Sequence, residues 1–95
     1  MSHEPTEAAQ SEQELVEGAQ RGDSRSFGLL YHRYVDRVYS FIEFRVRDSA
    51  IAEDLTQEVF MQVLRGLGAF SWSGSFGPWV LRIARNAVVD HWRRM

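Results

Sequence analysis

Cysteine and lysine are both missing from these 95 residues, and proline (2) and glycine (7) are sparse. Without cysteine there is no disulfide framework, no thiolate zinc site and no cysteine nucleophile, and a reducing, cytoplasmic setting fits. So little proline and glycine argues against an all-β chain full of tight turns, which leaves helices as the default. No apolar run approaches the roughly 20 residues that span a bilayer. The opening MSHEPTEAAQ lacks the basic-then-apolar order of a secretory signal. The expectation is a soluble, intracellular protein with no membrane insertion. His3, His32 and His91 lie far apart with no His-x-x-x-His spacing, so no metal site is expected. Near the acids Glu53, Asp54 and Glu58 stands no nucleophile and no glycine-rich phosphate loop, so no catalytic residue, no cofactor and no enzymatic activity are expected.

What is present is a globular composition, 44% hydrophobic and 13% aromatic, on a chain long enough for one domain. A domain of this size buries roughly two-thirds of the surface that its unfolded chain exposes. The net charge of −2 hides an asymmetry. Residues 1–20 carry Glu4, Glu7, Glu12, Glu14 and Glu17 and no base, whereas residues 60–95 carry Arg65, Arg82, Arg85, Arg93 and Arg94 against Asp90 alone. A local nucleic-acid footprint produces such a gradient. All eleven basic residues are arginine, which codon usage ties to a GC-rich genome.

Residues 1–10 have no hydrophobic period and read as a disordered acidic leader. Ser11-Glu12-Gln13-Glu14 has the pattern of a capping box and opens a first helix, through Leu15, Val16 and Ala19, that stops near Gly22. Asp23 or Ser24 can cap a second helix over 24–46, whose buried stripe is Phe27, Leu30, Tyr31, Tyr34, Val38, Phe41 and Ile42. Asp48 or Ser49 can cap a third over 50–66, with Ala52, Leu55, Val59, Phe60, Val63 and Leu67 on one face. Gly66, Gly68, Gly74 and Gly77 then break the pattern into a Gly/Ser loop until Ser75 caps a fourth helix that has Pro78 in its first turn. This helix turns Phe76, Val80, Ile83, Ala84, Ala87 and Val88 inward and meets no stop signal after Arg94, which points to a natural protein that continues further. The predicted fold is an all-α bundle of about four helices over 11–95.

Three surfaces carry the chemistry. The polar face of the third helix gathers Asp54, Gln57, Glu58, Met61 and Arg65. Acids beside an amide suit arginines of a partner protein, and methionine adds an adaptable apolar contact. A merely solvated helix face is the plainer alternative. On the fourth helix Arg82, Arg85, Asn86, Val89 and Arg93 face outward. Arginines supply phosphate affinity, and an amide among them can read a base edge. Between the two helices, Phe70, Trp72 and Phe76 sit among serines and glycines, and single-stranded DNA sites combine a cationic groove with aromatic stacking platforms. Trp72 is the candidate platform, with Ser71, Ser73 and Ser75 as donors to an unstacked base edge. Phe70 and Phe76 are candidate plugs beneath the loop, and Trp79 a candidate core residue.

The run Ala52-Glu53-Asp54-Leu55-Thr56-Gln57-Glu58-Val59-Phe60 resembles the core-binding signature of extracytoplasmic-function sigma factors of bacterial RNA polymerase. Gly74-Ser75-Phe76-Gly77-Pro78-Trp79-Val80-Leu81-Arg82-Ile83-Ala84-Arg85-Asn86, with Asp90 and Arg93-Arg94, resembles that family's helix for the promoter −10 element. The opening of the second helix, Gly22 to Tyr31, also resembles the family, so the likeness runs over about 13–94. It implies sigma domain 2, a helical domain that grips the clamp helices of the polymerase beta-prime subunit. Asp54, Gln57 and Glu58 match its polymerase contacts, and the polymerase-binding set expected here is Arg47, Glu53, Asp54, Gln57, Glu58, Met61 and Arg65. The likeness assigns single-stranded non-template −10 DNA to Trp72, Ser73, Gly74, Ser75, Arg82, Arg85, Asn86 and Arg93, with a flipped base held in the loop. A second domain reading the −35 element is absent from this chain. An anti-sigma partner is implied as well, for which the apolar Leu29, Phe44 and Met61 are the expected exposed contacts. A sigma-like interaction module that never meets DNA is the alternative kept open.

Overall fold

The computed structural model describes residues 11–72 and 76–95. Ser11 opens helix α1 (Glu12–Gln20) with the expected capping box. Its hydroxyl accepts from the Glu14 N–H at 3.1 Å, and the Glu14 carboxylate accepts from the Ser11 N–H at 3.1 Å. The helix ends in a glycine-dependent turn, because Gly22 takes φ 90°, where a side chain is strained. There Gly22 N–H donates to the Ala19 carbonyl and Asp23 N–H to the Gly18 carbonyl, both at 3.0 Å. That pair of bonds satisfies carbonyls the helix end would otherwise leave open.

Asp23, not Ser24, caps helix α2 (Ser24–Val46): its carboxylate accepts from the Arg25 N–H at 3.1 Å and from the Ser26 hydroxyl at 2.8 Å. These bonds, the Ser26 hydroxyl first, hold the Asp23 carboxyl below its ordinary value. At the far end Arg47 adopts the left-handed conformation (φ 60°, ψ 36°) and returns its N–H to the Glu43 carbonyl at 2.8 Å. Asp48 then caps helix α3 (Ser49–Gly66) through the Ile51 N–H at 3.1 Å. The glycine-rich segment that follows continues as a 3-10 turn over Leu67–Ala69, one turn more of helical backbone than glycine content predicts. Burial of Leu67 against the core explains it. Helix α4 spans Phe76–Arg93. The predicted leader over 1–10 and the cap at Ser75 lie outside the described residues.

The described residues are thus all helix and turn, in the predicted order, around one core. From α2 it takes Leu30, Tyr34, Val38 and Ile42, while Phe27, Tyr31 and Phe41 of the predicted stripe are half-buried against it; from α3 it takes Ala52, Leu55, Val59, Phe60 and Val63, with Leu67 added by the 3-10 turn. From α4 come Phe76, Val80, Ala84, Ala87 and Val88, with Ile83 half-buried. Leu15, Val16 and Ala19 of α1 close one side. Each large aliphatic side chain so buried contributes about 1.5–3 kcal/mol against exposure. The crossing of α1 and α2 is tight at Gly18, where an added Cβ would run into the Ser26 hydroxyl. Across the bundle the Tyr34 hydroxyl donates to the Glu12 carboxylate at 2.6 Å, and its ring meets Phe76 edge-on with centroids 5.6 Å apart. Burial, then that carboxylate, pushes the Tyr34 phenol up to about 12. No helix of the described residues is long and apolar enough to cross a membrane.

Candidate nucleic-acid interface

An aromatic cluster fixes where α4 begins. Phe70 packs against Phe76 (centroids 5.6 Å, nearly perpendicular) and against Trp79 (4.7 Å), and Phe76 meets Trp79 at 5.7 Å. Aromatic pairs in these offset and edge-on arrangements add about 0.5–1.5 kcal/mol beyond their buried area. Gly66 lets Trp79 lie close, since a Cβ there would stand 3.2 Å from the indole. The turn is also tied to α1 by a contact that sequence reading missed. The Gln20 amide donates to the Leu67 carbonyl at 3.0 Å and to the Phe70 carbonyl at 2.8 Å. Phe70 and Phe76 are therefore floor residues, as one of the two expected roles had it, and Trp79 is a half-buried member of the same floor. Trp72 meets Phe70 edge-on at 6.5 Å and is half-buried. The candidates Ser73, Gly74 and Ser75 lie outside the described residues.

From this floor α4 extends with Arg82, Arg85, Asn86, Val89 and Arg93 all exposed. They follow steps of three and four and share one face. Arg93 stands 3.9 Å from the Asp90 carboxylate, an exposed i, i+3 pair worth little in water. The face therefore offers guanidinium groups to phosphates, with the Asn86 amide among them able both to donate to and to accept from a base edge.

The α3 candidates form a second surface. Glu53, Asp54, Gln57, Met61 and Arg65 are exposed and Glu58 is half-buried; Arg47 is exposed at the left-handed turn before α3. Beside them runs a groove of about 290 Å³ lined by Phe27, Tyr31, Gln57, Phe60, Met61 and Leu64. A second hollow of about 290 Å³ lies between α2 and α3, with Asp36, Tyr39 and Glu53 at its wall and Gln57 shared by both. Leu64, 53% exposed next to Met61 at 55%, was named in neither the predicted stripe nor the polar face of this helix. Leu29 was expected to be exposed and is instead half-buried against the core; Phe44, at 69%, is as exposed as expected. Among the described residues no cluster of His, Asp or Glu has the arrangement to hold a metal ion.

Among the described residues, four α-helices and no strand form a bundle with an arginine-asparagine face and an acidic-apolar face. Residues 30–95 match the model of the Sigma-70 region 2 family, and the chain belongs to that family. Its relatives include extracytoplasmic-function (ECF) sigma factors. It is 51% identical over 81 residues to the ECF RNA polymerase sigma factor BldN of Streptomyces coelicolor, covering 84% of this chain and 31% of that protein. The chain thus spans about a third of that relative's length. Its fold is similar to an engineered region 2 of sigmaE solved by NMR in complex with GTAAAA. That match has a TM-score of 0.84 at 33% identity and covers 99% of this chain and 93% of that one. It is also similar to a chain of the RsbN–BldN complex, with a TM-score of 0.76 at 48% identity over 83% of this chain and 58% of that one.

Proposed function

We propose that this chain recognises and opens the promoter −10 element for a bacterial RNA polymerase, which it engages through α3. The observation that carries the reading is the exposed face of Arg82, Arg85, Asn86 and Arg93, which starts directly beyond the aromatic-floored turn. Its support from relatives is the engineered sigmaE region 2 in complex with GTAAAA. In this reading the arginines hold the non-template strand by its phosphates, and Asn86 reads a base edge. The segment after Trp72 takes a base that has left the stack. Stacking one base on an aromatic ring is worth about 1–3 kcal/mol, comparable with the few kcal/mol that unstacking costs. Capture therefore shifts the DNA towards its open form with no ATP or metal, and polymerase supplies the catalysis.

Docking on the beta-prime clamp helices uses Arg47, Glu53, Asp54, Gln57, Glu58, Met61 and Arg65. The acids face arginines of the clamp, and the groove at Met61 and Leu64 receives an apolar side chain. A protein partner, an anti-sigma factor, is also part of this reading, with the exposed Phe44 and Met61 as its apolar contacts; its support is that the relative BldN is seen in complex with RsbN. The place of action is the cytoplasm, on the nucleoid when polymerase is engaged.

The test separates the two faces. Labelled core polymerase is titrated with wild type and with the Gln57→Ala, Glu58→Arg double variant, and a single-stranded −10 oligonucleotide with wild type and Arg85→Glu. Each variant should lose one partner and keep the other. A folded wild type that binds polymerase but gives no signal with the oligonucleotide would leave an interaction module without DNA binding, and a DNA signal unchanged by Arg85→Glu would take the α4 face out of the reading.

A further inference from the structure

The cationic face of α4 extends past Asn86. Trp92 follows Arg85 by seven residues, so it stands about 20° from it around the helix and two turns further on. Val89, 37% exposed, lies between them. The indole is 51% exposed and is not among the apolar residues packed on the core; among the described residues its one ring contact is the edge of His91, at 6.0 Å. Arg85, on the same side of the helix, and Arg93, the next residue, are both exposed, and the nearby acid, Asp90, is close to Arg93. A flat apolar ring set among guanidinium groups matches a polyanion that carries π-faces, and nucleic acid is such a polymer. An acidic protein surface would satisfy the arginines and leave the ring without a partner.

We propose that Trp92 is a second aromatic contact for the DNA strand, stacking on a base several nucleotides away from the one taken beyond Trp72. This rests on the DNA-binding reading above. The distance follows from the helix. Sixteen residues separate Phe76 from Trp92, which at 1.5 Å per residue is about 24 Å. At a stacked rise of 3.4 Å per nucleotide this is about seven nucleotides. A hexamer held at the start of α4 therefore stops short of Trp92, and a strand twice as long passes it.

The experiment is fluorescence anisotropy of the whole chain with a −10 hexamer and with two twelve-nucleotide strands, one extended on each side of the hexamer. Wild type should bind one of the longer strands more tightly than the hexamer. Trp92→Ala should remove that gain, about tenfold, and leave the hexamer affinity unchanged, while Trp92→Phe keeps most of the gain. Circular dichroism confirms that the variants are folded. Equal affinity of wild type and Trp92→Ala for both long strands would overturn the proposal, as would a loss of the same size on the hexamer. Self-association of wild type that Trp92→Ala abolishes, with DNA binding unchanged, would assign the ring to a contact between copies and overturn it too. A wild type that fails to bind the hexamer would instead remove the DNA-binding reading on which the proposal stands.

Discussion

Arg47 holds the one positive φ among the described non-glycine residues, and it is also a candidate contact to polymerase. A left-handed conformation costs an ordinary residue about 1 kcal/mol that glycine does not bear. Arg47→Gly should therefore keep or raise the midpoint of thermal unfolding while weakening polymerase binding. A fall in both would mean that the arginine is structural. Tyr34 gives a pH prediction. Its phenol rises from 10.0 to about 12 in the fold, so the neutral form is favoured by folding. That contribution is fully present below pH 10 and is lost as pH climbs through 12. Urea unfolding at pH 8 to 11.5 should show wild type losing stability above pH 10. Tyr34→Phe should be less stable by about 1 kcal/mol at pH 8 and should lack this alkaline decline.

At the scale of the elements, much was legible because each signal is local. The cap at Ser11 and the cap choices Asp23 or Ser24 and Asp48 or Ser49 placed three helix starts to within a residue, and apolar steps of three and four gave the inward faces of α3 and α4 and four of the seven residues expected inward on α2. What was not legible depends on how helices cross. Gln20 looks like any polar residue at a helix end, yet it spans 47 and 50 residues to bond the turn after α3. The hollows between α2 and α3 likewise come from the crossing and not from either sequence alone. The same limit applied to Leu29 and Leu64, whose burial is set by the neighbouring helix, and to the 3-10 turn at Leu67. Gln20→Ala should leave the fold intact, lower stability by about 1 kcal/mol and speed amide hydrogen exchange over 67–72. Unchanged exchange there would show that the aromatic floor alone holds the turn. At the crossing of α1 and α2, Gly18→Ala should destabilise by about 1–3 kcal/mol, despite alanine's better helix propensity, because Ser26 has to move. Equal or greater stability in chemical denaturation would show that the helices part easily.

For the molecule as a whole, the charge gradient seen in the sequence separates into two surfaces with different salt behaviour. If Arg82, Arg85 and Arg93 each meet a phosphate of a twelve-nucleotide strand, three counterions leave the single strand on binding. The logarithm of affinity should then fall against the logarithm of salt with a slope of about −2. Each arginine changed to alanine should make the slope shallower by about 0.7, while Asn86→Ala lowers affinity at a slope that stays the same. The α3 surface carries both acids and exposed apolar side chains, so polymerase docking should respond more weakly to salt and retain its groove contribution at high ionic strength. Combining Glu58→Arg with Arg85→Glu tests whether the surfaces are independent. Distant sites with no shared partner add within about 0.5 kcal/mol. Additive losses would mean that the domain holds polymerase and DNA as a rigid adaptor. A double variant that binds DNA differently from Arg85→Glu alone would show that docking reshapes the DNA face. The coupling would then run through the aromatic floor, because that cluster joins the turn after α3 to the start of α4.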